Sequence, residues 1–403
     1  MITILEGVAL FLTILSFVPS AVFSIECFMA ALPPKKVVLT PQHSGSSPRI
    51  AIVVPAHNEE GLIARTVLPL VAQLGRRDRV VVVADNCDDA TAEIARAAGA
   101  EVLVRNSLTQ IGKGHALRHG FTHLASDPPD VVLVVDADCF ASSSFVRTMA
   151  TLAISTNRPV QSENVLIPTE RPTPEAMISA LAFLVRSSVR ARGLMRMGLP
   201  CQLGGTGMAF PWQVLLRAPA TGAHLAEDML MGVELAEVGY PPLYCPTVSV
   251  ESCLPEKREA GRSQHRRWEH GHLAVLVHKV PGLIIRGLAR RSVRLVAMGL
   301  DLLVPPLTLL VLVILCTGFL ALALGLTLHY WVPACIAVGS FTMVALGTGL
   351  AWLKFGRHLV PLRFALAIPA YVLWKLPIYL ALALHRGQKT WERAERAAAP
   401  PLT

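Results

Sequence analysis

The sequence predicts an α/β domain with a parallel, doubly wound sheet, joined to apolar helices that cross a membrane. With 403 residues, 53% of them hydrophobic, and a mean hydropathy of +0.50, the chain is too apolar for a single soluble domain. The long apolar runs lie towards the two ends. Between them, residues 49–138 alternate short β-branched runs with stretches of helical periodicity, which is typical of a parallel sheet with helices on both faces.

The first predicted element is an N-terminal membrane anchor, within residues 1–32. Residues 7–25 carry no charge, and at about 1.5 Å per residue they nearly cross the hydrocarbon core. No basic region precedes this stretch and no clear cleavage site follows it, so we expect an uncleaved anchor. Because Lys35 and Lys36 follow directly, the positive-inside rule puts the N-terminus outside and the chain as far as about residue 290 in the cytoplasm.

Residues 45–275 are predicted to form one cytoplasmic domain. Its strands, in chain order, lie in "RIAIVVPAHNEE", "RVVVVADNCDDAT", "EVLV" and "VVLVVDAD", and helices separate them. In a parallel sheet the C-terminal ends of the strands share one edge, where ligands bind. The polar residues that follow the strands are therefore expected to cluster there: His57, Asn58 and Glu59, then Asp85, Asn86, Asp88 and Asp89, then Asp136 and Asp138.

Two aspartates, Asp136 and Asp138, end the fourth of these strands. Side chains two residues apart on a strand point the same way, so both carboxylates project from its C-terminal end. Two ionised carboxylates held so close need a counter-charge. A hard divalent cation such as Mg²⁺ or Mn²⁺, itself holding phosphate oxygens, would provide it. The alternative is that one aspartate caps the next helix while the other is solvated.

The remaining composition narrows the class of protein. The net charge is +9, but many arginines lie beside apolar runs, a pattern that favours amphipathic helices on an anionic membrane face over a nucleic-acid site. These are Arg186, Arg190, Arg192 and Arg196, and then Arg286, Arg290, Arg291 and Arg294, the latter within a predicted interface segment, 276–300. Eight cysteines without a CxxC pair are expected to be reduced and structural. Neither GxGxxG nor GxxxxGK[ST] is present, which argues against nicotinamide and ATP sites.

Residues 301–386 are predicted to form C-terminal membrane helices, followed by a basic tail at 387–403. Two stretches, 302–328 and 332–353, are each long enough to span. The stretch 359–384 contains Arg363, Pro369, Lys375 and Pro377, and as a third span it would put the basic tail outside, against the positive-inside rule. It is either a span that breaks the rule or a re-entrant or interfacial segment, so the number of spans stays open.

A series of motifs across residues 49–272 resembles the membrane-bound inverting glycosyltransferases of family 2. In order they are "PAHNEE", "ADNCDDAT", "GKGHAL", "DAD", "GGTGMAF", "AED" and "QHRRW". The family includes cellulose, hyaluronan and chitin-oligosaccharide synthases as well as lipid glycosyltransferases. The resemblance implies an α/β GT-A fold, which is Rossmann-like, and a UDP-sugar donor.

The resemblance also implies the roles of individual residues. The donor nucleotide would contact Pro55, Ala56, Asn58, Glu59, Asp85, Lys113 and Asp136. Asp85 would read the uracil, and Asp136 and Asp138 would hold Mg²⁺ or Mn²⁺. The acceptor and diphosphate would contact Gly205, Thr206, Gly207, Gln264, Arg267 and Trp268. Asp228 would be the catalytic base, with Glu227 beside it.

The chemistry of the residues agrees with these roles. Asp228 falls in the first turn of a predicted helix, where the helix dipole favours a negative charge, although Glu227 and Asp228 could also serve only to complement that dipole. A helix over "SQHRRWEHGH" puts Gln264, Arg267 and Trp268 on one face. The alternative for the last two is a tryptophan at the membrane interface beside a snorkelling arginine. The histidines of the motifs, His57, His115 and His265, are expected to be hydrogen-bonding neighbours rather than metal ligands.

The function predicted from the sequence is hexosyl transfer from a UDP-sugar to a growing polysaccharide or oligosaccharide, by a multi-pass enzyme of a bacterial-type inner (plasma) membrane. The alternative is a non-processive enzyme that adds one sugar to a membrane lipid. The QxxRW signature favours the first and the small number of spans the second. A transporter or a catalytically silent scaffold is the rival from another class. The filled carboxylate positions argue against silence, and the few intramembrane charges argue against transport.

Overall fold

The computed structural model describes residues 2–33, 47–167, 172–218, 227–253 and 258–383, and of 258–266 it describes the backbone. These residues form two compact units. The helical unit holds 2–33, 173–199 and 272–383, and the α/β unit holds the described parts of 47–172 and 200–271. Lys35, Lys36 and the predicted basic tail lie outside the described residues.

The strands and helices follow one another closely along both units. The strands are β1 Ile50–Ala56, β2 Arg79–Asp85, β3 Glu101–Arg105, β4 Val131–Val134, β5 Cys139–Ala141, β6 Val160–Ile167, β7 Met208–Pro211 and β8 Leu243–Cys253. The helices are α1 Ile2–Ala31, α2 Ile63–Val71, α3 Thr91–Ala97, α4 Lys113–Leu124, α5 Phe145–Thr156, α6 Pro174–Leu184, α7 Arg190–Arg196, α8 Trp212–Leu215, α9 Glu227–Glu237, α10 Arg258–His278, α11 Val280–Ala289, α12 Val293–Leu303, α13 Leu307–Leu328, α14 Val332–Ala351 and α15 Ile368–Ala383. One π-helical turn joins α6 to α7, and another extends α14 to Gly356.

The sheet of the α/β unit has eight strands in the order β3-β2-β1-β4-β7-β6-β8-β5. Its first half, β3-β2-β1-β4, is parallel, as predicted. The alternating pattern of the sequence extends only over these four strands, and beyond β4 the sheet is mixed. β7 runs antiparallel to β4 and to β6, β6 and β8 are parallel, and β5 runs antiparallel to β8. Met208 at the start of β7 pairs with Val134 at the end of β4, so the chain enters β7 at the edge where β4 ends and must run back along it.

Three of the parallel strands, β1, β2 and β4, are buried on both faces of the sheet. On one face β1, β2 and β4 pack against α2 and α5, with Ile63, Phe145 and Met149 at the centre. On the other face they pack against α4 and against Phe210 and Leu235. With both faces apolar, the strand ends are the places left for charged side chains, which positions a polar site at the C-terminal edge.

In the helical unit, three described helices are long and apolar enough to cross a membrane. They cover 4–31, 307–328 and 332–356, with hydropathies of 2.2, 2.8 and 1.8. A fourth would be counted if 267–278 and 280–289, bent by 42° relative to each other, formed one span. The third predicted C-terminal stretch contains a 3₁₀ turn followed by α15. With 16 residues, α15 is shorter than the three helices that could cross a membrane and is not counted with them.

Residues 173–199 lie inside the predicted 45–275 domain but belong to the helical unit, and they carry a buried ion cluster. Arg190 Nε donates to Glu26 Oε2 at 2.6 Å, and Arg190 Nη2 donates to the Asp301 carbonyl at 2.7 Å and pairs with the Asp301 carboxylate. None of the three side chains is more than 4% exposed. For Arg190 the expectation of a place on an anionic membrane face is therefore wrong, because two carboxylates from α1 and α12 bind it inside the unit.

Candidate active site

The polar site begins where β4 ends. Asp136 and Asp138 follow the strand in a turn whose intervening residue, Ala137, is buried. Two threonines hold this turn in place: Thr206 Oγ1 accepts the Asp136 N–H at 3.0 Å, and Thr66 Oγ1 donates to the Ala137 carbonyl at 2.7 Å. The turn therefore directs both carboxylates to the edge of the sheet where the parallel strands end.

The donor atoms at this turn fit a hard divalent cation. Within the described part of the chain, the only group of three or more potential ligands is Asp136, Asp138 and Cys139, whose ligand atoms lie within 4.8 Å of one another. Burial raises the pKa of the Cys139 thiol to about 12. Its sulfur is also a softer ligand than Mg²⁺ or Mn²⁺ prefers. The oxygens of Asp136 and Asp138 are therefore the atoms of this group that would hold the cation.

Lys113, the first residue of α4, connects the carboxylates to the loop before β7. Its ammonium pairs with Asp136 and donates to the Gly205 carbonyl at 2.6 Å. Burial by itself lowers the pKa of Lys113, but the Asp136 carboxylate, with Glu227 and Asp228 beyond it, outweighs burial and holds this pKa above its ordinary value. The lysine is therefore a fixed positive charge among acidic groups.

The loop 204–207 requires glycine at two positions. Gly205 and Gly207 have φ values of +83° and +65°, and a Cβ on Gly207 would stand 2.1 Å from Ser162 Oγ. A Cβ on Gly205 would stand 3.1 Å from Asp228 Oδ2 and 3.4 Å from Lys113 Nζ, so these two charged atoms lie on the same side of the loop.

A buried glutamine, Gln161 on β6, fixes the shape of this loop. Its Oε1 accepts the Gly204 N–H at 2.8 Å, and its Nε2 donates to the Thr206 carbonyl at 2.9 Å. Sequence reasoning missed Gln161, because nothing in a strand reading "VQSENVLI" marks one polar residue as the partner of a distant loop.

The predicted acidic pair lies at the start of α9, as expected, with Glu227 and Asp228 both in its first turn. Burial raises the pKa of Glu227 to about 7. Lys113 and a hydrogen bond from the Gly114 N–H lower it, while Asp228 and Asp136 raise it. Glu227 is therefore partly protonated near neutral pH.

The QxxRW motif lies on α10, which confirms the predicted helix. The half-buried Arg267 interacts electrostatically with Asp136, Glu227 and Asp228, which brings it to the site. Trp268 is half-buried as well. The side chains of Gln264 and His265 lie outside the described residues, so for them only the place on the helix is given.

Asp85 is at the end of β2, buried, and paired with Arg105. The pairing follows from the parallel register, which sets Asp85 beside Arg105 at the end of β3. Sequence reasoning missed Arg105 because that register could not be read from the sequence. The His57 ring lies 2.7 Å from the Asp85 carbonyl, as a hydrogen-bonding neighbour. A cavity opens next to Asp85 and is lined by Asn86, Cys87, Asn106, Ser107 and Leu108.

The residues after β1 hold the neighbouring loop in place. Pro55 and Ala56 are the last residues of β1, and Asn58 adopts a left-handed conformation with φ +53°. Its Oδ1 accepts the Asp88 N–H at 2.9 Å, and the Glu59 N–H donates to Thr91 Oγ1 at 2.7 Å. The structure thus joins the two loops predicted to bind the nucleotide.

Taken together, the half-parallel mixed sheet and the acidic turn after its fourth strand define a GT-A-type fold. Residues 48–271, more than half of the chain, match the family model described as "Glycosyltransferase like family 2". The chain belongs to this family.

Two glycosyltransferases are similar in sequence to about a quarter of the chain. It is 36% identical over 93 residues to 4,4'-diaponeurosporenoate glycosyltransferase of Staphylococcus haemolyticus, covering 22% of this chain and 24% of the relative. It is 33% identical over 99 residues to the probable glycosyltransferase YdaM of Bacillus subtilis, covering 23% of each. The matched stretch therefore spans about a quarter of each curated relative.

The structure of mannosyltransferase PcManGT from Pyrobaculum calidifontis, in complex with GDP-Man and Mn²⁺, aligns over 95% of this chain and 99% of its own. The identity is 18% and the TM-score 0.53, so the similarity establishes the fold.

Proposed function

We propose that this protein transfers a hexosyl group, with inversion, from a nucleoside-diphosphate sugar to an acceptor hydroxyl. The observation that carries the proposal is the convergence of charged side chains around Gly205. Four carboxylates and two cations meet there from separate segments of the α/β unit: Asp136, Asp138, Glu227, Asp228, Lys113 and Arg267. Such a cluster of both signs suits a reaction in which a diphosphate leaves on one side and a proton on the other.

The diphosphate side belongs to Asp136 and Asp138, which would hold Mg²⁺ or Mn²⁺. When bound, the cation neutralises the negative charge that develops on the departing diphosphate. Lys113 and Arg267 add two positive charges near the same carboxylates and suit phosphate oxygens. Lys113 also orients Asp136 relative to the loop 204–207, because it contacts both.

The proton side belongs to Asp228. Its Oδ2 lies beside Gly205, and its place in the first turn of α9 favours a negative charge. Asp228 would take the proton of the acceptor hydroxyl as this oxygen attacks the sugar from the face opposite the diphosphate. Glu227, whose pKa burial raises to about 7, is the second candidate for the base.

For the donor we propose a UDP-sugar, with Asp85 as the base-reading residue. Support comes from the position of Asp85 at the end of β2, beside the cavity, where Arg105 fixes its carboxylate. A GDP-sugar is the second candidate, because the solved structure that aligns with nearly the whole chain holds GDP-Man.

For the acceptor, the helical unit favours a membrane lipid over an extruded polysaccharide. The apolar helices α13 and α14 contain no charged residue, whereas a glycan path through the membrane needs polar groups along its length. The plasma membrane, with the α/β unit in the cytoplasm, remains the proposed location, since cytoplasmic nucleotide sugars supply the reaction there.

The test incubates the purified full chain with UDP- and GDP-sugars, membrane lipid extract and Mn²⁺ or Mg²⁺, and separates lipid-soluble from polymeric product. We expect a single glycolipid from a UDP-sugar and no product with EDTA. Asp138→Asn should abolish transfer, and Asp127→Asn, at an exposed aspartate that precedes β4 at the opposite end of the strand, is the matched control that should keep it. A ladder of polymers would show instead that the acceptor is a growing polysaccharide. Turnover that survives EDTA would remove the metal from the mechanism.

A further inference from the structure

A helical hairpin in the helical unit carries a surface that the proposed reaction does not use. It consists of α11, the turn 290–292 and α12. The two helices are tightly packed: a Cβ on Gly287 would stand 2.9 Å from the Val296 N, and one on Gly299 would stand 2.6 Å from Ile284 Cγ1. Leu283, Leu295 and Met298 are buried. The hairpin is therefore a fixed element, and the residues at its tip are held outward.

The tip of this hairpin combines exposed apolar and basic side chains. Leu288 and Val293, on either side of the turn, are 63% and 73% exposed. Arg290, Arg291 and Arg294 are exposed as well. No acidic residue occurs anywhere from 279 to 300, so the tip has a positive charge that its own segment does not neutralise.

The base of the hairpin lies level with one end of a membrane span. Asp301, near the end of α12, is bound by Arg190, which also binds Glu26. Glu26 is five residues from the end of α1 at Ala31, so the end of α12 is level with the last turns of a helix long enough to cross the membrane. After α12, three residues lead into α13, the next span. The hairpin thus begins level with the last turns of a helix that is long and apolar enough to cross a membrane.

We propose that the tip of the α11–α12 hairpin binds anionic phospholipid headgroups. Arg290, Arg291 and Arg294 contact the headgroup phosphates, while Leu288 and Val293 enter the boundary between headgroups and acyl chains. Arginines next to exposed aliphatic side chains are typical of protein surfaces that lie on anionic membranes. A soluble polyanion would use the arginines but would leave the aliphatic residues in water. This surface is independent of the sugar-transfer site, so either assignment stands without the other.

The experiment uses the full chain in neutral detergent, with phosphatidylglycerol or phosphatidylcholine added, and counts retained lipids by native mass spectrometry. We expect preferential retention of phosphatidylglycerol. Replacing all three arginines with glutamine should weaken this preference about tenfold or more, because the attraction of three positive charges to the headgroup phosphates is lost. The same three positions changed to lysine should keep it. The control, Arg76→Gln with Arg96→Gln and Arg217→Gln, removes three exposed arginines of the α/β unit and should also keep it.

The salt dependence of the wild-type chain gives a second measurement that needs no variant. At about 1 M salt the Debye length falls to about 3 Å, and the preference for phosphatidylglycerol should decrease sharply. Equal retention of both lipids by the wild-type chain, or an unchanged preference in the glutamine variant, would overturn the proposal. Displacement of the lipid by a short oligonucleotide at equal phosphate concentration would overturn it too, because the surface would then be a general polyanion site.

Discussion

Two groups of ionised side chains, one in each unit, have similar composition and different surroundings. The site cluster, defined above by its four carboxylates and two cations around Gly205, remains partly open to water: Asp136 and Lys113 are 30% and 25% exposed. The helix cluster of Glu26, Arg190 and Asp301 has no side chain more than 4% exposed. Both clusters contain more carboxylates than cations. Because water reaches the site cluster, its excess negative charge can bind a metal cation. In the buried helix cluster, the Arg190 guanidinium binds carboxylates from two other helices and so links three helices.

The sharpest test of the site cluster is Asp228→Asn, for which we expect the largest effect. The change keeps the size of the side chain but removes the carboxylate that accepts the hydroxyl proton, so transfer should fall about 10²–10⁴-fold. Binding of UDP should barely change, since Asp85 and the metal carboxylates are untouched. Radiolabelled sugar incorporation and calorimetric UDP titration on the same sample measure both quantities.

Glu227→Gln is the matched control for this experiment, because it alters the adjacent carboxyl of the same helical turn. A loss of UDP affinity in step with activity in Asp228→Asn would assign Asp228 to the donor site and make Glu227 the next candidate for the base. Near-wild-type transfer by Asp228→Asn would mean that Glu227 and Asp228 serve only to complement the helix dipole.

The helix cluster predicts an effect on stability instead of activity. Arg190→Gln leaves two carboxylates buried without their cation and should lower the free energy of unfolding by about 3–5 kcal/mol. Unfolding in detergent by increasing mole fractions of SDS measures this. Arg294→Gln, at an exposed arginine of the same unit, should change the free energy by about 0.5 kcal/mol or less.

A triple variant separates charge pairing from packing in the helix cluster. Neutralising all three members, as Glu26→Gln, Arg190→Gln and Asp301→Asn together, should recover part of the stability that Arg190→Gln loses, because no uncompensated charge is then buried. If Arg190→Gln alone proves as stable as the wild-type chain, the contrast between the two clusters fails.

The two clusters also mark where sequence reasoning succeeded. Asp136 and Asp138 could be assigned to a sheet edge because a fully apolar strand precedes them, although the turn after β4, and not the alternation of side chains along the strand, orients them. Glu227 and Asp228 could be placed in the first turn of a helix from local periodicity. Such features depend on neighbours in the chain, and for these the expectation was confirmed.

Features that depend on distant partners were missed. Arg190 resembles the other arginines beside apolar runs, and only the packing of α7 shows that Glu26 and Asp301 bind it. Gln161 and Arg105 act through strand pairings that join segments far apart in the sequence. The antiparallel pairings of β7 were missed for the same reason, since β7 takes its direction from the strand beside which it enters.

A smaller effect is expected at Trp268. If its indole forms a stacking surface for the acceptor sugar, Trp268→Ala should weaken use of the acceptor by about 1–3 kcal/mol in kcat/KM and leave UDP binding nearly unchanged. Trp212→Ala, at a buried tryptophan of the same unit, controls for general loss of packing. Unchanged acceptor kinetics would favour the alternative, a tryptophan at the membrane interface beside Arg267.

The smallest expected effect concerns Glu227, the member of the site cluster whose surroundings most resemble those of the helix cluster. Burial raises its pKa from 4.5 to about 7, so the folded chain binds a proton more tightly than the unfolded chain. The stability linked to this proton is fully present below pH 4.5 and is lost as the pH rises through about 7. Glu227→Gln removes the titration.

The Tm of Glu227→Gln should therefore rise relative to that of the wild-type chain between about pH 5 and about pH 8, by an amount equivalent to about 1 kcal/mol after solvent screening. Thermal unfolding of both proteins in the same detergent across this range measures the difference. The difference should level off above about pH 8, because Glu227 is then ionised in both the folded and the unfolded chain. A constant difference, or one that shrinks as the pH rises, would mean that Glu227 is ionised throughout. All four carboxylates of the site cluster would then carry charge at neutral pH.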